Sequence, residues 1–367
     1  MNARALVFFA AFAFTASLAS AGVDYMGQIA LPNGHDVIVR QAVNPSSDGN
    51  HILYLVTTDQ LYMGVSPTRG AAFSFLPTVS LFGADMSLSY STIAIAPAEK
   101  NSPGGNLLTL SGTRNAIYTY NLTTGFRHSF ETVIAAGGGP DAMAVQQATS
   151  RVLIAKDNQI FTGVLGNLTA GTSLLIDGKG TDTGNNHFSQ LTEMAFANTQ
   201  FGGLLFTLDW GNTKPQVKSF DIDDPNGNYF RDSFELPASL KLTNPDGHGF
   251  TINNYGHLFI ADGRGGGLEF SLTGDLLATF SPPEGQLYGA ANGTDGYDPA
   301  LDATSITYTE DGNLFVMDGA YGLHWYRDTA ADAVPEPATT AAAVSFAALA
   351  CALLRRSRPP ADAPAAS

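Results

Sequence analysis

Five polar residues stand just ahead of, or inside, short apolar runs of strand type: Asp36, Asp141, Glu193, Asp246 and His248. If those runs gather around a common axis, their carboxylates converge. A ring of oxygens of that kind suits Ca²⁺, a hard cation that takes about six to eight oxygen ligands. Crowded carboxylates also raise one another's pKa unless a cation balances them. Asp141, Glu193 and Asp246 are the acids best placed as metal ligands. The competing reading is turn chemistry, because an Asp before a strand accepts backbone N–H bonds. A second set of acids follows the apolar runs: Asp59, Asp157, Asp209, Asp262 and Asp318. Asn or Gly follows within two residues of all but Asp59, so they read as turn residues, with Gly supplying positive φ.

Other constellations fall short of a chemistry. Asp221–Asn228 has acids ahead of Gly227, but counting back from that Gly puts Ile222 where the first ligand of a calcium loop belongs. It reads as a surface loop between strands. Gly137–Gly139 and Gly263–Gly267 lack the Lys-Ser/Thr of a phosphate loop. The seven histidines, at 35, 51, 128, 187, 248, 257 and 324, show no metal-binding spacing. Ser, His and Asp are plentiful, yet there is no G-x-S-x-G elbow. Trp210 and Trp325 fit a core or a rim as well as a sugar platform. With 18 basic against 33 acidic residues and a net charge of −15, a nonspecific grip on nucleic acid phosphates is excluded. Cys351 is the one cysteine, which excludes a disulfide framework and a thiolate metal cluster.

The elements that must position these groups are strands. Charged residues make up 14% and there are 39 glycines, the composition of a turn-rich β protein. An apolar run recurs six times, starting at His51, Asn106, Arg151, Gly203, His257 and Asn313. The starts lie 45 to 56 residues apart, a period that signals a propeller or solenoid. Solenoid coils are shorter than that, which favours the propeller. A second strand follows each run, from residues 60, 116, 159, 216, 268 and 323. A third strand follows five of them, at 71–79, 127–135, 171–177, 229–236 and 276–281. One also precedes each run, at 36–43, 91–96, 140–146, 191–197, 248–253 and 303–309. The sixth copy lacks its last strand, and Asp24–Leu31 has no copy of its own. The expected fold is therefore all-β: a six-bladed β-propeller of four-stranded blades, the last blade closed by the N-terminal strand.

Within this repeat, Gly249–Asp262 followed by Gly267–Phe280 resembles an NHL-type repeat, and Pro140–Val145 is similar to the opening of one. The resemblance implies the propeller and transfers no activity. Gluconolactonase-type enzymes on six-bladed propellers hold an axial metal through Glu, Asn and Asp on separate blades. That pattern has no residue-by-residue match here, so a Ca²⁺-dependent lactonase or hydrolase is an analogy of fold.

The two ends read as addresses. Arg4 precedes an apolar stretch from Ala5 to Ala19, and Ala19-Ser20-Ala21 is a small-x-small cleavage site. Residues 1–21 are expected to be a secretory signal, with the mature chain starting at Gly22. At the other end, Val334-Pro335-Glu336-Pro337 is followed by a 17-residue apolar segment, 338–354, and then by Arg355, Arg356 and Arg358. Seventeen residues is the lower limit for crossing a bilayer, and the arginines would stay on the cytoplasmic side. This tail resembles the PEP-CTERM sorting signal of Gram-negative bacteria. The resemblance implies transient inner-membrane insertion and removal at Pro-Glu-Pro by an exosortase-type enzyme. The chain departs from the pattern by its extra residues 359–367, expected to be a disordered tail. A retained C-terminal anchor is the other reading. The expected division is thus 1–21 signal, 22–333 propeller, 334–358 sorting signal and 359–367 tail.

Two classes of function follow. One is an exported protein of the cell envelope or extracellular matrix, a non-enzymatic scaffold for polysaccharide or protein. The other is the hydrolase with Ca²⁺ on the axis.

Overall fold

The computed structural model describes residues 22–29, 142–146, 149–164, 173–179, 186–197, 203–210, 215–237, 249–253, 255–262, 265–283, 306–308, 312–318 and 322–329, and the backbone of further strands between 38 and 131. The described strands number 24, in six four-stranded antiparallel sheets. In chain order, sheet one holds β2 (Ile38–Pro45), β3 (His51–Thr57), β4 (Leu61–Ser66) and β5 (Ser74–Val79). Sheet two holds β6 (Tyr90–Ala96), β7 (Asn106–Ser111), β8 (Ala116–Asn121) and β9 (Arg127–Glu131). Sheet three holds β10 (Ala142–Gln146), β11 (Arg151–Lys156), β12 (Gln159–Val164) and β13 (Ser173–Asp177). Sheet four holds β14 (Leu191–Phe196), β15 (Leu205–Asp209), β16 (Gln216–Phe220) and β17 (Phe230–Glu235). Sheet five holds β18 (Phe250–Ile252), β19 (His257–Ala261), β20 (Gly267–Ser271) and β21 (Leu276–Phe280). Sheet six holds β22 (Ile306–Tyr308), β23 (Asn313–Asp318), β24 (Gly322–Asp328) and, beyond β24, the first strand of the chain, β1 (Val23–Ile29).

Within each sheet of consecutive strands, hairpins join neighbours. The β11–β12 hairpin turns on Asp157 and Asn158, both at positive φ, 49° and 64°. That backbone twist matches the right-handed twist of the flanking strands. The β20–β21 turn uses Gly274 at φ 94°.

Burial follows the position of each strand in its sheet. The second strands β11, β15 and β19 are buried on both faces, apart from the half-buried first residues Arg151 and His257. The last strands β13, β17 and β21 are mostly exposed, with only Ile176 and Phe280 buried, so they form the outer edge. Both faces of a middle strand are covered because consecutive sheets pack face to face. One core cluster joins Leu153, Ala155 and Ile160 of sheet three to Leu191, Leu205 and Phe220 of sheet four. A second joins Phe206, Leu208 and Val217 to Leu258, Ile260 and Phe270 of sheet five. A third joins Phe259 and Phe280 of sheet five to Leu314, Val316 and Tyr326 of sheet six. Each first strand lies against the next, in the order β2, β6, β10, β14, β18, β22, and β22 lies against β2. Four-stranded antiparallel sheets that meet through their first strands form a β-propeller.

The junction of sheets five and six is aromatic. The ring of Phe259 stacks on Tyr308 at 5.6 Å, and Phe280 meets Tyr326 edge-on at 5.0 Å. Tyr25 of β1 meets Tyr326 edge-on at 5.2 Å. Each such pair is worth about 0.5–1.5 kcal/mol beyond the area it buries. The chain ends of the body also meet here: Thr329 donates to the Gly22 carbonyl from its backbone N–H at 2.9 Å and from its hydroxyl at 2.7 Å. Among the described residues, no helix is long and apolar enough to cross a membrane.

Candidate functional site

Of the three acids expected on the axis, Glu193 is described. It sits early in β14, the first strand of sheet four, where a bulge between Leu191 and Glu193 shifts the register. Its side chain is half-buried, and Oε1 accepts the Met194 N–H at 3.2 Å. Asp141 and Asp246 lie outside the described residues, as do Asp36 and His248. The described residues contain no group of three His, Cys, Asp or Glu that could hold a metal ion. The sorting residues Val334, Pro335, Glu336, Pro337, Arg355, Arg356 and Arg358 and the cleavage residues Ala19 and Ala21 also lie outside the described part.

The end of the sheets near Glu193 is organised by polar staples. Asn158 of the β11–β12 turn accepts the Leu191 N–H at 2.9 Å and donates to the Ser189 carbonyl at 3.1 Å, tying sheet three to the start of β14. Asp209, at the end of β15, is buried. Its Oδ1 accepts the N–H groups of Ser189 and Gln190 at 3.0 and 2.8 Å. Its Oδ2 takes the Lys218 ammonium at 2.7 Å. Lys218 also donates to the His187 carbonyl and lies over the Phe188 ring. The sequence reading made Asp209 a cap for its own hairpin. It caps instead the segment that enters β14, taking the N–H groups of Ser189 and Gln190 at the buried end of β15. Asp262 does follow the turn reading: its Oδ1 accepts the Gly266 N–H at 3.0 Å. Trp210 is a core residue, 9% exposed and packed in the cluster between sheets four and five. Trp325 is half-buried and donates to Asn313 Oδ1 at 3.0 Å.

The acidic loop 221–229 joins β16 to β17, as a surface loop. Arg231 reaches both Asp221 and Asp224, at 2.8 and 2.7 Å. Arg151 of sheet three takes Asp223 at 2.8 Å, and Gln146 donates to it at 3.1 Å. The bond from Arg231, helped by the Asn226 N–H, holds the Asp224 carboxyl below its usual range. The loop's carboxylates Asp221, Asp223 and Asp224 are thus each paired with a guanidinium.

A second polar cluster sits between sheets five and six, and the sequence reading missed it. Glu269 of β20 is 0% exposed. Its Oε1 lies 2.5 Å from His257 Nδ1, while its buried Oε2 has no hydrogen-bond partner. Asn253 accepts the His257 N–H at 2.8 Å and donates to Asp328 Oδ2 at 3.1 Å. The Tyr308 hydroxyl donates to that same oxygen at 2.8 Å. Asp328 is also 0% exposed. The bond to Glu269 raises the His257 pKa against the opposing effect of burial, and the charges of Glu269 and Asp328 add to the rise. Burial first, then the Asp328 charge, pushes the Tyr308 phenol far up, so it stays a donor.

No family model and no curated protein sequence matches the chain. Solved structures do match its shape. One is a chain of a nidogen/laminin complex, 13% identical, covering 68% of this chain and 81% of its own length, with a TM-score of 0.44. A protein provisionally assigned as a gluconolactonase is 11% identical, over 84% of this chain and 93% of its own, with a TM-score of 0.49. The WD40 β-propeller domain of Doa1 is 11% identical, over 83% and 97%, with a TM-score of 0.46.

Proposed function

We propose that the chain is an exported bacterial protein of the cell envelope or extracellular matrix, a binding scaffold for polysaccharide or protein. Its body is a closed ring of six blades, with β1 completing the last. The succession of first strands, with β22 beside β2, supports the closed ring. One observation carries the address reading. The first strand begins at Val23, two residues after the expected cleavage site, and the last strand ends at Asp328, seven residues before Pro335. The described strands thus lie within the interval between the two expected addresses.

The partners that follow are an exosortase-type processing enzyme and an extracellular polymer, with inner-membrane insertion as a transient stage. The test is expression of the full chain in a Gram-negative host that carries such a sorting enzyme. Terminal sequencing and intact mass are expected to give Gly22 as the first residue and loss of 338–354. A mature protein that keeps residues 1–21 overturns export. One that loses the signal but keeps the tail converts the sorting signal into a permanent anchor.

A further inference from the structure

We infer that His257 and Glu269 form a proton-operated latch on the junction of sheets five and six, firm while His257 carries its proton and loosened when it is lost. The geometry gives the reason. Glu269 is wholly buried, one of its oxygens rests on His257 Nδ1 and the other has no partner. When protonated, the His257 imidazolium is the hydrogen-bonded counter-charge of that carboxylate. Removing one partner of a buried pair strands the other charge in a medium that cannot solvate it. Without the imidazolium charge, the buried carboxylate favours opening of the junction to water.

The strain has a route outward. The His257 N–H is held by Asn253, whose amide donates to Asp328, which also takes the Tyr308 hydroxyl. Asp328 stands opposite Val23 in the pairing of β24 with β1. Sheet five is thereby linked to β22, β24 and the closing strand. The groups facing His257 are Glu269 from β20 and Asp328 from β24, both acidic, with Tyr308 from β22 and Tyr255 from its own turn joined to the same network. Arg327, next to Asp328, directs its guanidinium to Asn313.

The sign is set by the raised His257 pKa. A folded-state pKa above the unfolded value of about 6.5 gives stabilisation that is complete below pH 6.5 and lost as pH rises through the folded value. The test uses the full chain in detergent, with hydrogen exchange and thermal melts from about pH 6 to 9. The wild type is expected to lose several degrees of melting temperature over that range, a loss the His257→Gln variant does not share. After correction for intrinsic rates, exchange is expected to quicken in β18–β20 and β22–β24 and not in β10–β13. An equally steep profile in His257→Gln, or quickening spread evenly over all sheets, overturns the latch. Should His257→Gln fail to fold, the wild-type His257 ring-proton titration decides. A midpoint above about 6.5 that drops in Glu269→Gln supports the latch, and a midpoint at or below 6.5 overturns it.

Discussion

The buried pair of Asp209 and Lys218 shows how much a single side chain holds here. The carboxylate satisfies two backbone N–H groups and the ammonium at once, and it fixes the segment that leads into Glu193. Lys218→Met keeps the packing over Phe188 but strands a buried carboxylate. It is expected to cost about 3–5 kcal/mol in denaturant unfolding, and a loss under 1 kcal/mol would refute the role. Gly274 makes a second test. Its φ is +94°, and a Cβ there would meet Phe234 Cγ at 2.5 Å. Gly274→Ala is expected to cost about 1–3 kcal/mol by strain and overpacking, readable as a lower denaturant midpoint at unchanged slope. Legibility at this scale was uneven. Asp262 kept its expected turn role, whereas Asp209 looked the same in sequence and does something else. Glu269 was hidden because Leu268–Leu272 alternates apolar and polar, which suggests one wet face. In β20 both faces are covered by neighbouring sheets, so alternation carries no information about exposure.

The strands were the most readable level. Where the flanking residues are described, the outer strands come out a residue short at one end or both: the expected 229–236 is Phe230–Glu235 and the expected 276–281 is Leu276–Phe280. Among inner strands with described flanks, the expected 248–253 is the shorter Phe250–Ile252. The apolar repeat made strands visible because each copy ends in a turn with its own chemistry. Which sheet β1 joins required long-range reasoning from a missing strand, and β1 indeed lies beside β24. That strand is open to test. Deleting residues 22–29 leaves β24 as a bare edge, a template for another chain. The shortened protein is expected to self-associate on gel filtration, and a synthetic peptide of residues 22–29 is expected to restore the monomer. A monomer that melts like the parent would refute the need for β1.

At the level of the whole molecule, the repeat was legible in the sequence, the two addresses are part of the proposed function, and the ligand stayed open because no motif demands one. The axial acids illustrate why. Convergence depends on how the sheets are arranged, which no local pattern encodes, and of Asp141, Glu193 and Asp246 the described residues include Glu193 alone. A melt with excess Ca²⁺ and then EDTA separates the two classes of function. The scaffold reading expects no shift. A ligand at 100 times its dissociation constant would add about 2.7 kcal/mol, a rise of a few degrees that EDTA should abolish, and that result would favour the hydrolase. The pairing of Val23 with Asp328 carries one more consequence, in time. Roughly 300 residues separate the two, so at about 5–20 residues per second the first strand waits on the order of 15–60 s for its partner to be made. Throughout that wait β1 is an unmatched edge with sticky side chains. The protein's most vulnerable moment is therefore its own synthesis, and whatever accompanies the emerging chain must keep its first strand unspent until its last one arrives.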